Sequence, residues 1–126
     1  MNQNILNQYQ INFVNKIIDF EIGGKEITKI PNTNNKYLDE FLDDWSAEEM
    51  DEYLLPYVNQ VINNTLLEYQ TGCETITVLV QSNLTYFLID DVGTNYPTIP
   101  TQDFKEICLG WKAFLLTPPL NGTKVS

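Results

Sequence analysis

The residues with the clearest chemical potential are carboxylates concentrated in one segment of the chain. Between residues 39 and 52, eight of fourteen side chains are acidic and none is basic. Apolar side chains interrupt them at four positions, so the segment can be anchored to a core and hold its charges in a fixed array. Such an array can dock on a basic protein surface. Its members are Asp39, Glu40, Asp43, Asp44, Glu48, Glu49, Asp51 and Glu52.

Two other interpretations of this cluster stay open. It can be a solvated helix face, in which acids near a helix N-terminus interact favourably with the helix dipole. A calcium site fits less well, because the spacing does not match the twelve-residue EF-hand loop and no glycine stands where that loop needs one. We predict no metal site and no cofactor.

Aromatic and acidic neighbours extend the candidate docking surface. Trp45 and Tyr53 are large side chains next to the carboxylates, and an aromatic residue rimmed by charge resembles an interface hot spot. Asp90 and Asp91 form a smaller acidic pair after an apolar run. Adjacent strand residues point to opposite faces, so a general acid–base pair is disfavoured there. We expect a solvated loop entry, or an addition to the acidic face.

The residue types that are missing restrict the function further. The chain has no histidine, and all seven of its basic residues are lysines. Without histidine it lacks a Ser-His-Asp or Cys-His arrangement and a histidine-containing zinc site. Without arginine it lacks the bidentate fork that recognises phosphates and guanine edges. The net charge of −10 would also repel a polyanion. We therefore predict a protein that is not an enzyme and does not bind nucleic acid directly.

Other features bear on the compartment. Cys73 and Cys108 lack the CxxC spacing of redox motifs, and two buried thiols in a reducing environment are favoured over a disulfide. No basic and apolar leader follows Met1, and no apolar run approaches 18 residues. We expect a cytoplasmic protein without a membrane partner.

The elements that must position these residues follow from periodicity. Apolar side chains at helical spacing predict a helix near residues 4–18, although 11–18 could also be a strand. Alternation at Ile18, Phe20 and Ile22 then predicts a strand that turns at Gly23-Gly24 and returns over residues 25–30. A short helix is predicted near 36–44, with its apolar side chains on one side.

A strong helix start follows the first acids. Ser46 and Glu49 fit a capping box, and apolar spacing continues for almost twenty residues, which predicts a long helix near 47–69. Pro56 falls on its polar face and should kink or split it.

The remaining elements complete an α+β domain. A hairpin is predicted near 74–90, and a final helix near 102–116 is predicted to be capped by Thr101. The sum is one domain over residues 1–126, in which helices pack on a small antiparallel sheet and 118–126 form a frayed tail.

A resemblance covers about forty residues, 74–115. A pair of apolar strands leads into a helix that starts at Pro100-Thr101 and carries Glu106 and the late pattern Trp111-x-x-Phe114-Leu115. This layout resembles small acidic bacterial immunity proteins, including those of contact-dependent growth inhibition systems, which neutralise a toxin domain delivered by a neighbouring cell. The resemblance implies a stoichiometric antitoxin in the cytoplasm, and it transfers no binding residue by position.

The predicted function is binding and neutralisation of a cognate basic toxin domain, most readily a nuclease, with 1:1 stoichiometry. Nucleases present positive surfaces to their polyanionic substrate, so an acidic inhibitor associates with them quickly. One alternative is a phage-type DNA mimic that inhibits a defence nuclease. A less favoured alternative is a carboxylate-based enzyme.

Overall fold

A computed structural model describes residues 1–90, 93 and 95–119. Within these residues the fold is α+β, as the sequence predicts, with a two-stranded and a four-stranded antiparallel sheet. Asp91 and residues 120–126, which include most of the predicted tail, lie outside the described residues.

The N-terminal segment corrects the predicted helix near 4–18. Helix α1 covers only Gln3–Gln8 and ends where Gln10 takes a left-handed φ of 50°. Strand β1 (Val14–Phe20) follows and pairs with β2 (Gly24–Ile30), so that Ile17 lies opposite Ile27. The β-branched residues after position 13 favour this extended conformation. The predicted turn is confirmed, since Gly23 and Gly24 both have positive φ.

The acidic part of the chain forms consecutive helical segments. Helix α2 covers Lys36–Asp43, and α3 covers Ala47–Glu49. A π-helical segment, Met50–Leu54, joins α3 to α4 (Leu55–Ile62). Pro56 lies in the first turn of α4 and has no N–H for the preceding turn, and the Leu55 N–H bonds to the Met50 carbonyl instead. The predicted kink or split at Pro56 takes the form of a π-helical interruption of the α-helix just before the proline, while the helical run itself continues.

The helix predicted near 47–69 is too long at its C-terminal end. It ends at Ile62, and Asn64 has a left-handed φ of 62°. The chain then forms strand β3 (Glu68–Gly72), the edge strand of the larger sheet, with Tyr69 opposite Val80. Leu66 and Tyr69 stand at helical spacing, but Leu66 precedes the strand and Tyr69 pairs with Val80, so pairing with a later strand overrides the helical pattern.

The larger sheet has the order β3-β4-β5-β6. Strands β4 (Thr77–Gln81) and β5 (Leu84–Leu88) confirm the predicted hairpin. Strand β6 (Thr98–Pro100), which lies between the predicted hairpin and the predicted final helix and was not itself predicted, leads directly into α5 (Thr101–Leu115).

Thr101 does not cap α5 as predicted. Pro100 holds the cap position without a side-chain hydrogen bond, and Thr101 is the first helical residue. Its fully buried hydroxyl donates to the Gln81 carbonyl at 2.6 Å and lies 3.0 Å from the Thr85 hydroxyl. Thr101 therefore fastens the start of the helix to the sheet.

The core lies between the helices and the larger sheet. Four of its rings are fully buried. Phe41 belongs to α2, Phe87 to β5, and Phe104 and Trp111 to α5. Phe41 and Phe104 lie 5.7 Å apart between ring centroids, which joins α2 to α5. The acid-bearing helices are thus held to the rest of the molecule by apolar packing.

Candidate functional site

Helix α2 separates its apolar and acidic residues cleanly. The Asn35 side chain caps it by accepting from the N–H groups of Tyr37 and Leu38. Leu38, Phe41 and Leu42 are fully buried, so this face is fixed against the core. The acids occupy the remaining positions: Glu40, Asp43 and Asp44 are exposed, and Asp39 is half-buried.

Asp39 differs from the other acids because it has structural partners. Its carboxylate accepts hydrogen bonds from the Thr33 hydroxyl at 2.8 Å and the Thr33 N–H at 3.2 Å. Burial raises the pKa of Asp39, and the two hydrogen bonds from Thr33 act in the opposite direction. Asp39 therefore holds the loop that precedes α2.

A cleft forms between the end of β2 and helix α2. It has a volume of about 190 Å³ and is bordered by Ile30, Pro31, Asp39, Glu40 and Asp43. Its borders combine apolar side chains with three carboxylates. A long cationic side chain has the matching composition, an alkyl stem that ends in a charge.

The predicted capping box is present at the start of α3. The Ser46 hydroxyl accepts from the Glu49 N–H at 3.1 Å, and the Glu49 carboxylate accepts from the Ser46 N–H at 2.9 Å. Glu48 and Glu49 lie in the first turn, where negative charge is favourable. This part of the acidic segment is fixed locally as well as by the core.

The exposed acids have little internal charge compensation. Asp51 forms an ion pair with Lys112, whose Nζ lies 2.5 Å from its Oδ1. It is the single ion pair within 4 Å in the part of the chain that the structure describes. Tyr53 is 56% exposed, and a hydrogen bond with the neighbouring Glu52 carboxylate raises its pKa.

Trp45 is placed in the core instead of at the surface. Only 7% of it is exposed, and its ring lies 5.4 Å from that of Phe41. Of the two aromatic residues that the sequence analysis selected, Tyr53 is the one available to a partner.

Asp90 is exposed at the end of β5, beside a feature that the sequence analysis missed. It borders a cleft of about 390 Å³ together with Glu74 and Thr75. The same turn contacts α2, since Cys73 Sγ lies 3.9 Å from the Glu40 carbonyl oxygen. Cys73, next to Glu74 in the chain, thus contacts the acidic segment, and Glu74 shares its cleft with Asp90.

A larger cleft than these two lies at another place, and no carboxylate is among the residues that line it. Its volume is about 540 Å³, and Tyr9, Lys36 and Tyr37 are among the residues that line it. The Tyr9 hydroxyl donates to Asp103 at 2.6 Å, and burial, together with this carboxylate, raises its pKa far above the ordinary value. Tyr9 therefore stays protonated at neutral pH.

Both cysteines are free thiols, and burial raises the pKa of Cys108. Among the described residues, no group of three or more acidic or cysteine side chains converges on a possible metal position. None of the described helices combines the length and apolarity needed to cross a bilayer.

Protein-family models, curated proteins and solved structures yield no significant match to this chain.

Proposed function

We propose that this protein is an immunity protein that binds a basic toxin domain and blocks its substrate-binding surface. A nuclease is the kind of toxin domain that fits best. The immunity protein acts in the cytoplasm, by 1:1 binding and without chemistry of its own. The observation that carries the proposal is the acidic segment, residues 39–52, in which seven of eight carboxylates are exposed and one is paired with a lysine.

The position of two acids supports a role in binding over a role in stability. Asp43 and Asp44 are the last residue and the C-cap of α2, and no basic residue lies in the last turn. A helix C-terminus carries partial negative charge, so carboxylates there are unfavourable for folding. A helix-dipole explanation covers Glu48 and Glu49 but not this pair. A cationic partner would compensate the cost.

The aromatic and apolar neighbours supply the contact area that charge alone lacks. Tyr53 would be the desolvated anchor, because it is exposed and lies next to the carboxylates. The cleft at Ile30 and Pro31 would accept a lysine or arginine side chain of the toxin, with its charge against Asp39, Glu40 and Asp43. Asp90 and Glu74 would extend the surface toward the second cleft.

A fixed array of negative charge raises the rate at which such an inhibitor associates with its target. A nuclease keeps a positive surface for its polyanionic substrate, and this surface attracts a negative inhibitor over distances of about one Debye length. The capping box and the buried face of α2 hold the carboxylates in place before the encounter. Binding then occupies the surface that the nucleic acid needs.

The proposal predicts that a large secreted protein is encoded immediately upstream, and the test uses the C-terminal domain of that protein. Expressed alone, this domain should arrest growth, and co-expression of the present chain should restore it. The variant Asp43→Asn, Asp44→Asn, Glu48→Gln should associate about tenfold more slowly at low salt, because three steering charges are lost. Stopped-flow or biolayer interferometry measures this rate.

The matched control removes three acids elsewhere, by Glu21→Gln, Glu26→Gln and Glu68→Gln. Both variants change the net charge by the same amount, so a local docking surface predicts a large effect only in the first. Equal losses in the two variants would reduce the proposal to a net-charge effect. Absence of binding to the upstream domain would contradict it.

A further inference from the structure

The hairpin β1–β2 has an open strand edge. Among the described residues, β1 forms a sheet with β2 alone, and its backbone makes no other hydrogen bonds. Strand β2 is the inner strand, because Lys29 is 1% exposed and lies over the Phe114 ring. Five of the seven residues of β1 are exposed. The outer edge of β1 is thus available for pairing with another strand.

Exposed apolar side chains accompany this edge. Ile17 is 64% exposed, Phe20 44% and Ile22 92%. Single exposed apolar residues are ordinary, but two on the strand with the unpaired edge, Ile17 and Phe20, mark an interaction surface, whereas Ile22 lies in the turn outside the strand.

The charge of the hairpin indicates which partner it accepts. Residues 14–30 contain three lysines (16, 25 and 29) and three carboxylates (19, 21 and 26), so they are neutral as a group. The rest of the chain carries the entire net charge of −10. Two copies of this molecule repel each other least at the hairpin, whereas a basic partner is attracted elsewhere.

We propose that β1 pairs antiparallel with β1 of a second copy about a two-fold axis at Ile17, forming a four-stranded sheet across a homodimer. In this register Ile17 meets Ile17, Val14 meets Phe20, and Asn15 meets Asp19. Ile27 lies beside Ile17 in each copy, which makes a row of four isoleucines on one face. The Asn15 amide can donate to the Asp19 carboxylate.

The neighbouring two-fold register is less favourable. An axis at Ile18 places Ile17 against Asp19 and Asn15 against Glu21 in the turn, and it breaks the row of isoleucines. With the axis at Ile17, no like charges lie directly opposite each other. The pairing is isologous and therefore closes as a dimer, without continuing into a fibre. The proposed dimer does not involve the acidic segment and does not depend on the proposed toxin.

Sedimentation velocity on the full chain tests the proposal, with a dimer of twice 14.5 kDa as the expected result. Ile17→Asp places two carboxylates together at the axis and should raise the dimer dissociation constant at least ~100-fold. Ile22→Asp is the control, since it adds the same charge outside the paired strands and should leave the dimer intact. Circular dichroism verifies that both variants fold.

A covalent trap reports the register. Ile17→Cys in a Cys73→Ser background should form a disulfide-linked dimer on oxidation, and Ile22→Cys in the same background should not. A wild-type chain that is monomeric up to about 1 mM, or a dimer that Ile17→Asp leaves unchanged, would overturn the proposal. Retained toxin binding by monomeric Ile17→Asp would show that the two surfaces are separate.

Discussion

Lys29 is buried, although lysine side chains normally remain in water. Its side chain is buried, its Nζ donates to the Thr117 hydroxyl at 3.1 Å, and it lies 4.2 Å from the centre of the Phe114 ring. No carboxylate of the described residues lies within 4 Å of it. Desolvation lowers the pKa of Lys29, since the cation has exchanged water for one hydroxyl and one aromatic face.

This burial has a measurable consequence for stability. Because the folded pKa lies below the ordinary value of 10.5, the unfolded chain binds the proton more readily between those two values. The free energy of unfolding should therefore rise with pH in that window. Lys29→Met keeps the length of the side chain and removes the charge, and it should raise this free energy at pH 7 by about 1 kcal/mol.

Chemical denaturation between pH 7 and 10.5 measures both effects. Lys25→Met, at an exposed position of the same hairpin, is the control and should change the stability by less than about 0.5 kcal/mol. A clearly destabilised Lys29→Met variant would mean that the charge of Lys29 supports the fold. An unchanged pH dependence in this variant would mean that Lys29 is not the source of that dependence.

At the scale of secondary-structure elements, two glycines differ in what an added Cβ would meet. Gly72 ends β3, and a Cβ there would lie 2.3 Å from the Ile76 carbonyl oxygen, which belongs to the backbone. Gly110 lies inside α5, and the nearest atoms to its Cβ would all belong to the flexible side chain of Met1. Close packing of α5 on the sheet is therefore not the reason for this glycine.

Alanine substitutions should consequently have opposite effects. Gly72→Ala should lower the free energy of unfolding by about 2 kcal/mol, because the backbone of the β3–β4 turn must move. Gly110→Ala should raise it by about 0.5–1 kcal/mol through helix propensity, since Met1 can turn aside. Thermal and urea unfolding of the two variants make the comparison. Destabilisation by Gly110→Ala would mean that Met1 is held in place.

Charge acts at the scale of the whole molecule. A net charge of −10 with nearly half of the acids in residues 39–52 creates self-repulsion that salt screens. The unfolded chain spreads the same charges further apart, so the folded state carries the larger cost. The proposed binding surface would thus be maintained at the expense of stability.

The pair Asp43→Asn and Asp44→Asn tests this trade-off without any partner. The double variant should be about 0.5–1 kcal/mol more stable than the parent at low salt, because two charges leave an unfavourable helix end. Its advantage should shrink as NaCl is raised to about 0.5 M. Unfolding by urea at several salt concentrations gives the result. A less stable double variant would mean that these carboxylates support the fold.

Much of the candidate site is predictable from the chain alone. The acids are exposed because carboxylates remain in water, and apolar spacing identifies the buried face of α2. The capping box was found because its two residues interact over three positions. Trp45 was harder to place, because a tryptophan next to acids fits both a core and an interface, and only the packing against Phe41 decides.

The sequence by itself determined the α+β class, the glycine turn, the hairpin β4–β5, the break at Pro56 and the concentration of charge, because each depends on nearby residues. The tertiary structure decided that residues 14–20 and 68–72 are strands, that Thr101 joins a helix to the sheet, and that Cys73 contacts α2. The physical reason is that short apolar runs fit either period, and their partners lie far away along the chain.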